Sequence, residues 1–153
     1  MTGPCADDGG PALTTIVEMN WRLFIRDVVS MPFDSSLGAC LFGHPPRPVG
    51  GLRCMGAVVS KTGSPAASSA TSNPSPGGHD AFRGMLAIDD GTGVLVVHVP
   101  AAAWQAVELG DVVDVVGPVV MLEGGRKCLQ AKGCHVQGDP HAGLLRDLEC
   151  IQL

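Results

Sequence analysis

The side chains best equipped for chemistry are six cysteines, five histidines and an acidic turn at Asp89-Asp90. Cys5, Cys40, Cys54, Cys128, Cys134 and Cys150 form no CxxC pair. The opening residues MTGPCADDGG have neither a basic region nor an apolar core, so no secretory signal is expected. Free thiols in a reducing compartment follow from that. A zinc site drawn from Cys128, Cys134 and His135 lacks the usual short ligand spacing. His44, His79, His98, His135 and His141 are scattered, with no pair at helical spacing. No serine or cysteine stands beside a histidine and an acid in a nucleophile motif, and there is no phosphate loop. In Asp89-Asp90-Gly91-Thr92-Gly93 the aspartates suit the local backbone and the glycines accept positive φ, which makes a turn. The expectation is a protein that is not an enzyme, with no catalytic residue, metal or cofactor.

Binding chemistry is the alternative. The net charge is −5, so the overall field opposes nucleic acid, although a local basic stripe can still bind it. Between Leu52 and Val136 the aromatics are Phe82 and Trp104, and the chain has no tyrosine. Base stacking on an aromatic is worth ~1–3 kcal/mol. Phe82 lies on the apolar side of its segment and reads as core. Trp104 reads as a plug for one end of the fold. The candidate nucleic-acid residues are therefore the cations Arg53, Arg83 and Lys127. Weak or no direct strand binding is expected. Only 16% of residues are charged, which leaves apolar surface for a partner to cover.

These residues must be positioned by elements rich in glycine and proline punctuation. Residues 1–12 are polar and read as a disordered tail. Apolar spacing predicts an amphipathic helix over 14–29, capped by Thr14 or Thr15 and ended at Met31-Pro32. Residues 37–42 read as a strand and 44–48 as a stiff turn. LRCMGAVVS at 52–60 is a strand whose Gly56 marks a bend or bulge. The Ser/Pro/Gly-rich stretch 61–80 reads as a flexible loop. Strands follow at 81–89 and 94–99. Pro100 opens a helix over 101–109. A long strand at 112–122 holds Pro118, which belongs at an edge or bulge. A fifth strand is expected at 127–136 and a helix at 141–153.

Five strands with a helix between the third and fourth make an all-β OB barrel, here with added N-terminal and C-terminal helices. Residues 13–153 are read as one such domain. No run reaches the length of a membrane span. The terminal helix places Leu144, Leu148 and Ile151 on one stripe, widened by Leu145, with Arg146, Asp147 and Glu149 on the other side. Two fates are open to the stripe, packing on its own barrel or packing on another OB subunit, and both can hold together because one helix can cover its barrel mouth and still present an edge. The partner-binding candidates are Leu144, Leu145, Leu148, Ile151 and the nearby Lys132.

LRCMGAVV, AIDDGTGVLVV, ELGDVVDVVGPVV, KCLQAKGCHV and Asp139-Pro140-His141 together resemble the RecQ-mediated genome instability protein 2 family. That resemblance implies a nuclear, non-catalytic OB subunit in a hetero-oligomer. Its partners would be a RecQ-mediated genome instability protein 1-like OB subunit, a Bloom-type RecQ helicase and a type IA topoisomerase. The implied role is double Holliday junction dissolution and genome stability, with little DNA contact of its own. Turns of the DDGTG type also recur in the middle subunit of replication protein A and in telomeric Stn1-like and Ten1-like subunits. The alternative is thus a single-stranded-DNA-binding subunit of a replication or telomere complex.

Overall fold

A computed structural model describes residues 20–63 and 82–151 of the chain. The expected tail at 1–12 and most of the expected loop at 61–80 lie outside the described residues. In chain order the elements are β1 (Asn20–Arg22), α1 (Ile25–Ser30), β2 (Phe33–Asp34), β3 (Ala39–Phe42), β4 (Arg47–Val49), β5 (Gly51–Gly63), β6 (Phe82–Asp89) and β7 (Val94–Pro100). They continue with α2 (Ala101–Ala106), β8 (Val112–Gly117), β9 (Val119–Met121), β10 (Lys127–Gln130), β11 (Gly133–Val136) and α3 (Ala142–Ile151).

The main sheet runs β11-β8-β5-β6-β7-β10-β9. Its two ends belong to chain segments already inside it, since β11 continues β10 and β9 continues β8. The sheet therefore closes on itself as a barrel. Alternation supplies the core: Leu86 and Ile88 of β6, Leu95, Val97 and Val99 of β7, and Val113 and Val115 of β8 all point inward and are buried. Each such side chain contributes ~1.5–3 kcal/mol on burial.

The expected fourth and fifth strands are each broken in two. Pro118 donates no hydrogen bond, so the ladder stops there, and its carbonyl instead accepts the Gln130 N–H at 2.9 Å. The fifth strand turns at Ala131-Lys132. β10 pairs with β7 and β9, whereas β11 pairs with β8. Each half thus serves a different side of the barrel.

Within the barrel β5 also serves two partners, besides the parallel ladder it makes with β1. Its residues 52–57 pair with β8 and its residues 57–63 with β6. Gly56 stands at the hand-over, where an added Cβ would lie 2.8 Å from the Asp89 carbonyl oxygen. The bulge expected at this glycine falls further on, between Val58 and Ser60. Gly56 is there for close approach. β5 also outruns its expected end, because Lys61, Thr62 and Gly63 pair with Leu86, Met85 and Gly84.

The two barrel ends are sealed differently. At one, the inward side of Gly84 has no room for a Cβ because the Trp104 indole occupies it. Trp104 donates to the Thr62 carbonyl at 3.1 Å, and the Lys61 ammonium sits 4.4 Å from its ring centroid. Trp104 is half-buried, consistent with a plug that keeps a wet edge. α2 stops three residues short of the expected helix because Val107 turns extended and is buried, and Lys61 donates to its carbonyl.

At the other end, α1 inserts Ile25 and Val28, both fully buried. The helix expected over 14–29 is not what forms within its described part. Residues 20–22 instead pair in parallel with Gly51, Leu52 and Arg53, and the helix starts only at Ile25. Its first N–H donates to Asp90 Oδ2 at 2.8 Å, and the Arg26 N–H donates to Thr92 Oγ1 at 3.2 Å. The turn at 89–93 thus caps a helix more than sixty residues away in sequence, a pairing that no local pattern announces. The helix ends at Met31, as Pro32 requires. β2, β3 and β4 form a small antiparallel sheet joined to the barrel through Phe42 and Trp21, whose ring centroids are 5.4 Å apart.

Replacing Gly84 with valine should overpack the Trp104 end and destabilise the fold by ~1–3 kcal/mol in urea unfolding. Asp90→Ala should cost ~1 kcal/mol by removing the cap of α1. An unchanged midpoint in either variant would contradict the packing described.

Candidate interaction surfaces

α3 departs most from the ordinary arrangement of an amphipathic helix. Ala142, Arg146 and Cys150, four residues apart, face the barrel. Leu144, Leu145, Leu148 and Ile151 are 63%, 56%, 51% and 72% exposed. Arg146, by contrast, is only 7% exposed. It donates through Nη2 to the Leu23 carbonyl at 3.1 Å and to the Arg53 carbonyl. Arg22 forms an ion pair with Glu149 beside it. Of the two fates open to the stripe, packing on its own barrel is not adopted. Four apolar side chains of α3 therefore face away from the barrel. Lys132 is exposed at the bend between β10 and β11, and its N–H donates to the Val116 carbonyl at 2.8 Å.

A second surface is a shallow groove of about 230 Å³ on the outer side of β5, β6 and β7. Ser60, Thr62, Met85, Ala87 and Val96 form its floor, and Leu122, Arg126 and Lys127 form one wall. OB barrels bind oligonucleotides on this side, between the loop after the first strand and the loop joining the last two. Among the described residues no aromatic side chain lines the groove. Of its two cations, Lys127 donates to the Val29 carbonyl, which fixes its ammonium.

Arg53, Arg83 and Lys127 are not brought together as a described set. The Arg53 Nε donates to Asp114 Oδ1 and Oδ2 at 3.0 and 2.9 Å. That hydrogen bond, more than charge attraction, raises the Arg53 pKa further. Arg53 lies on the half of β5 that faces β8 and α3, while Lys127 lies at the groove. The side chains of Arg83 and Phe82 fall outside the described residues.

The groove floor was legible in principle, because period-two alternation puts Met85 and Ala87 outward on β6. Asp114 carried a signal too: a lone acid in VVDVVG calls for a cross-strand cation. Arg146 carried none, since on the helical wheel it belongs to the polar side.

Five cysteines are described, and all are free thiols. Burial pushes Cys54 up to about 12 and Cys128 up to about 11. Among the described residues no three histidine, cysteine or acidic side chains converge as metal ligands, so Cys128, Cys134 and His135 do not gather.

No protein-family model matches the chain, and no curated protein matches it. Solved structures do. A chain of the S. pombe Stn1–Ten1 complex superposes with a TM-score of 0.66 at 16% identity, covering 86% of this chain and 88% of that one. A chain of a replication protein A heterotrimer bound to single-stranded DNA superposes with a TM-score of 0.63 at 15% identity, covering 88% and 93%. Both neighbours are OB-fold proteins, so the fold is the OB barrel that the strand order describes. None of the described helices is long and apolar enough to cross a membrane.

With thiol pKa values this high, Cys54 and Cys128 are protonated at pH 8. Iodoacetamide at that pH should leave both unmodified in the native protein and modify both in urea. Rapid native alkylation of Cys54, read by peptide mass spectrometry, would refute its burial.

Proposed function

We propose that the protein is a non-catalytic OB subunit of a nuclear, hetero-oligomeric complex that handles single-stranded DNA in replication or telomere maintenance. The solved assemblies of replication protein A and Stn1–Ten1 represent this type. The carrying observation is the outward stripe of Leu144, Leu145, Leu148 and Ile151 on an otherwise complete barrel. Burying each of these side chains against a partner is worth ~1.5–3 kcal/mol before the costs of association. The OB neighbours, both drawn from multi-subunit assemblies, support this reading. The groove on β5, β6 and β7 contributes a minor strand contact through Arg126 and Lys127. With no stacking aromatic among its described lining residues, its affinity as an isolated subunit is low.

Membership of a RecQ helicase and topoisomerase complex is the second reading. It rests on the local stretches that resemble the RecQ-mediated family.

Affinity purification of the full-length chain from nuclear extract tests both. Co-purifying OB subunits of a replication or telomere complex are expected. A RecQ helicase with a type IA topoisomerase would favour the second reading. Leu148→Asp should remove the partner while changing the stability of the isolated chain by less than about 0.5 kcal/mol, since the side chain is exposed. A labelled oligonucleotide should bind the isolated chain more weakly than about micromolar. Tighter binding that falls steeply with salt would show that the subunit itself grips the strand.

A further inference from the structure

Why α3 turns its larger apolar face away from the barrel needs a physical cause. A ten-residue helix is marginal alone and normally gains its stability by burying its apolar stripe. Here the buried centre of the helix is a guanidinium. The cause lies in the backbone beneath it. The parallel ladder between β1 and β5 ends at the Arg22–Arg53 pair, and the chain then leaves the sheet toward α1. The last link, from the Leu23 N–H to the Arg53 carbonyl, is long at 3.4 Å. The Leu23 carbonyl lies past this last link and the Arg53 carbonyl holds only that long one among the described backbone bonds outside the strand ladders, both beside the buried Leu23 side chain. A buried carbonyl without a donor costs ~1–3 kcal/mol. From Arg146 onward the amide hydrogens of α3 belong to its own turns, so it is a long side chain with several donors that reaches both oxygens. Arg146 does so.

We infer that Arg146 is a positioning residue: it pins α3 to the end of the β1–β5 ladder by its polar side and thereby fixes the leucine stripe outward. This deepens the proposed function and rests on the stripe being the docking surface. Rolling the helix to bury Leu144 and Leu148 would withdraw the guanidinium and set a hydrocarbon over two carbonyls. The Arg22–Glu149 ion pair holds the same orientation from the edge. Among the described residues the Nη1 of Arg146 is buried without a hydrogen-bond partner, and the pin is made through Nη2. A replacement able to donate to the same carbonyls should recover part of its effect.

Two thiols report which side of α3 faces in. Cys150 lies one turn after Arg146 and is partly buried against the barrel, and its thiol is pushed up chiefly by that burial. A cysteine placed by Leu148→Cys would stand on the exposed stripe. Maleimide labelling, read peptide by peptide, should be slow at Cys150 and fast at position 148. Arg146→Met should raise the Cys150 rate about tenfold or more through local opening, and Arg146→Lys should restore part of the protection. Cys54, sealed in the barrel, is the control. Should it also react in Arg146→Met, the fold has loosened and Arg146→Ala is read in its place. Equal slow labelling of Cys150 with and without Arg146 overturns the inference, as does fast labelling of Cys150 in the unaltered chain. Retention of the partner by Leu148→Asp, while Arg146→Met frees Cys150, would defeat the docking role and leave the pin standing.

Discussion

Barrel closure depends on one strand satisfying two neighbours. β5 spends its first half on β8 and its second on β6, and the exchange takes place at Gly56, against the backbone of Asp89. A side chain there would separate β5 from the turn that follows β6. Because β5, β6, β7, β8 and β10 each have both edges paired, the barrel surface over them presents side chains rather than unpaired backbone. Interaction chemistry is thereby confined to loops, to outward positions and to whatever packs across the ends.

The two ends show how differently such packing is achieved. At one, Trp104, Lys61 and Val107 fit around a glycine, and the seal is local to β5, β6 and α2. At the other, three remote parts of the chain meet. The turn at 89–93 caps α1, β1 extends the sheet beside β5, and Arg146 of α3 closes the last carbonyls of that extension. The helix proposed to dock a partner is thus attached where the N-terminal segment is attached. Loss of either attachment would loosen the other, since Leu23 and Arg53 belong to both.

An outward leucine stripe and a groove with no aromatic among its described lining residues favour the same kind of protein. The groove has the outline of an OB strand-binding face, but among the described residues no ring lines it for bases to stack on. Apolar area has instead been concentrated on a short helix. For a chain with a net charge of −5, association through that helix is less opposed by the overall field than association with a polyanion.

What the sequence alone determined was the order of the barrel elements. Alternation in FRGMLAID and VLVVHV, the DDGTG turn, the proline before α2 and the i, i+4, i+7 stripe of α3 are local signals with periods of two or 3.6 residues. The resemblance to OB subunits followed from that order. What only the tertiary structure decided involves residues far apart in the chain. Residues 20–22 form a strand because the edge of β5 is available. α1 starts at Ile25 because Asp90 caps it. Pro118 and Ala131-Lys132 break their strands because each half must turn to a different neighbour. Arg53 is tied to Asp114, and Arg146 is buried while four apolar neighbours are not. In each case a backbone donor or acceptor sought a partner that chain closure brought near, and no periodicity within a single segment encodes such a meeting.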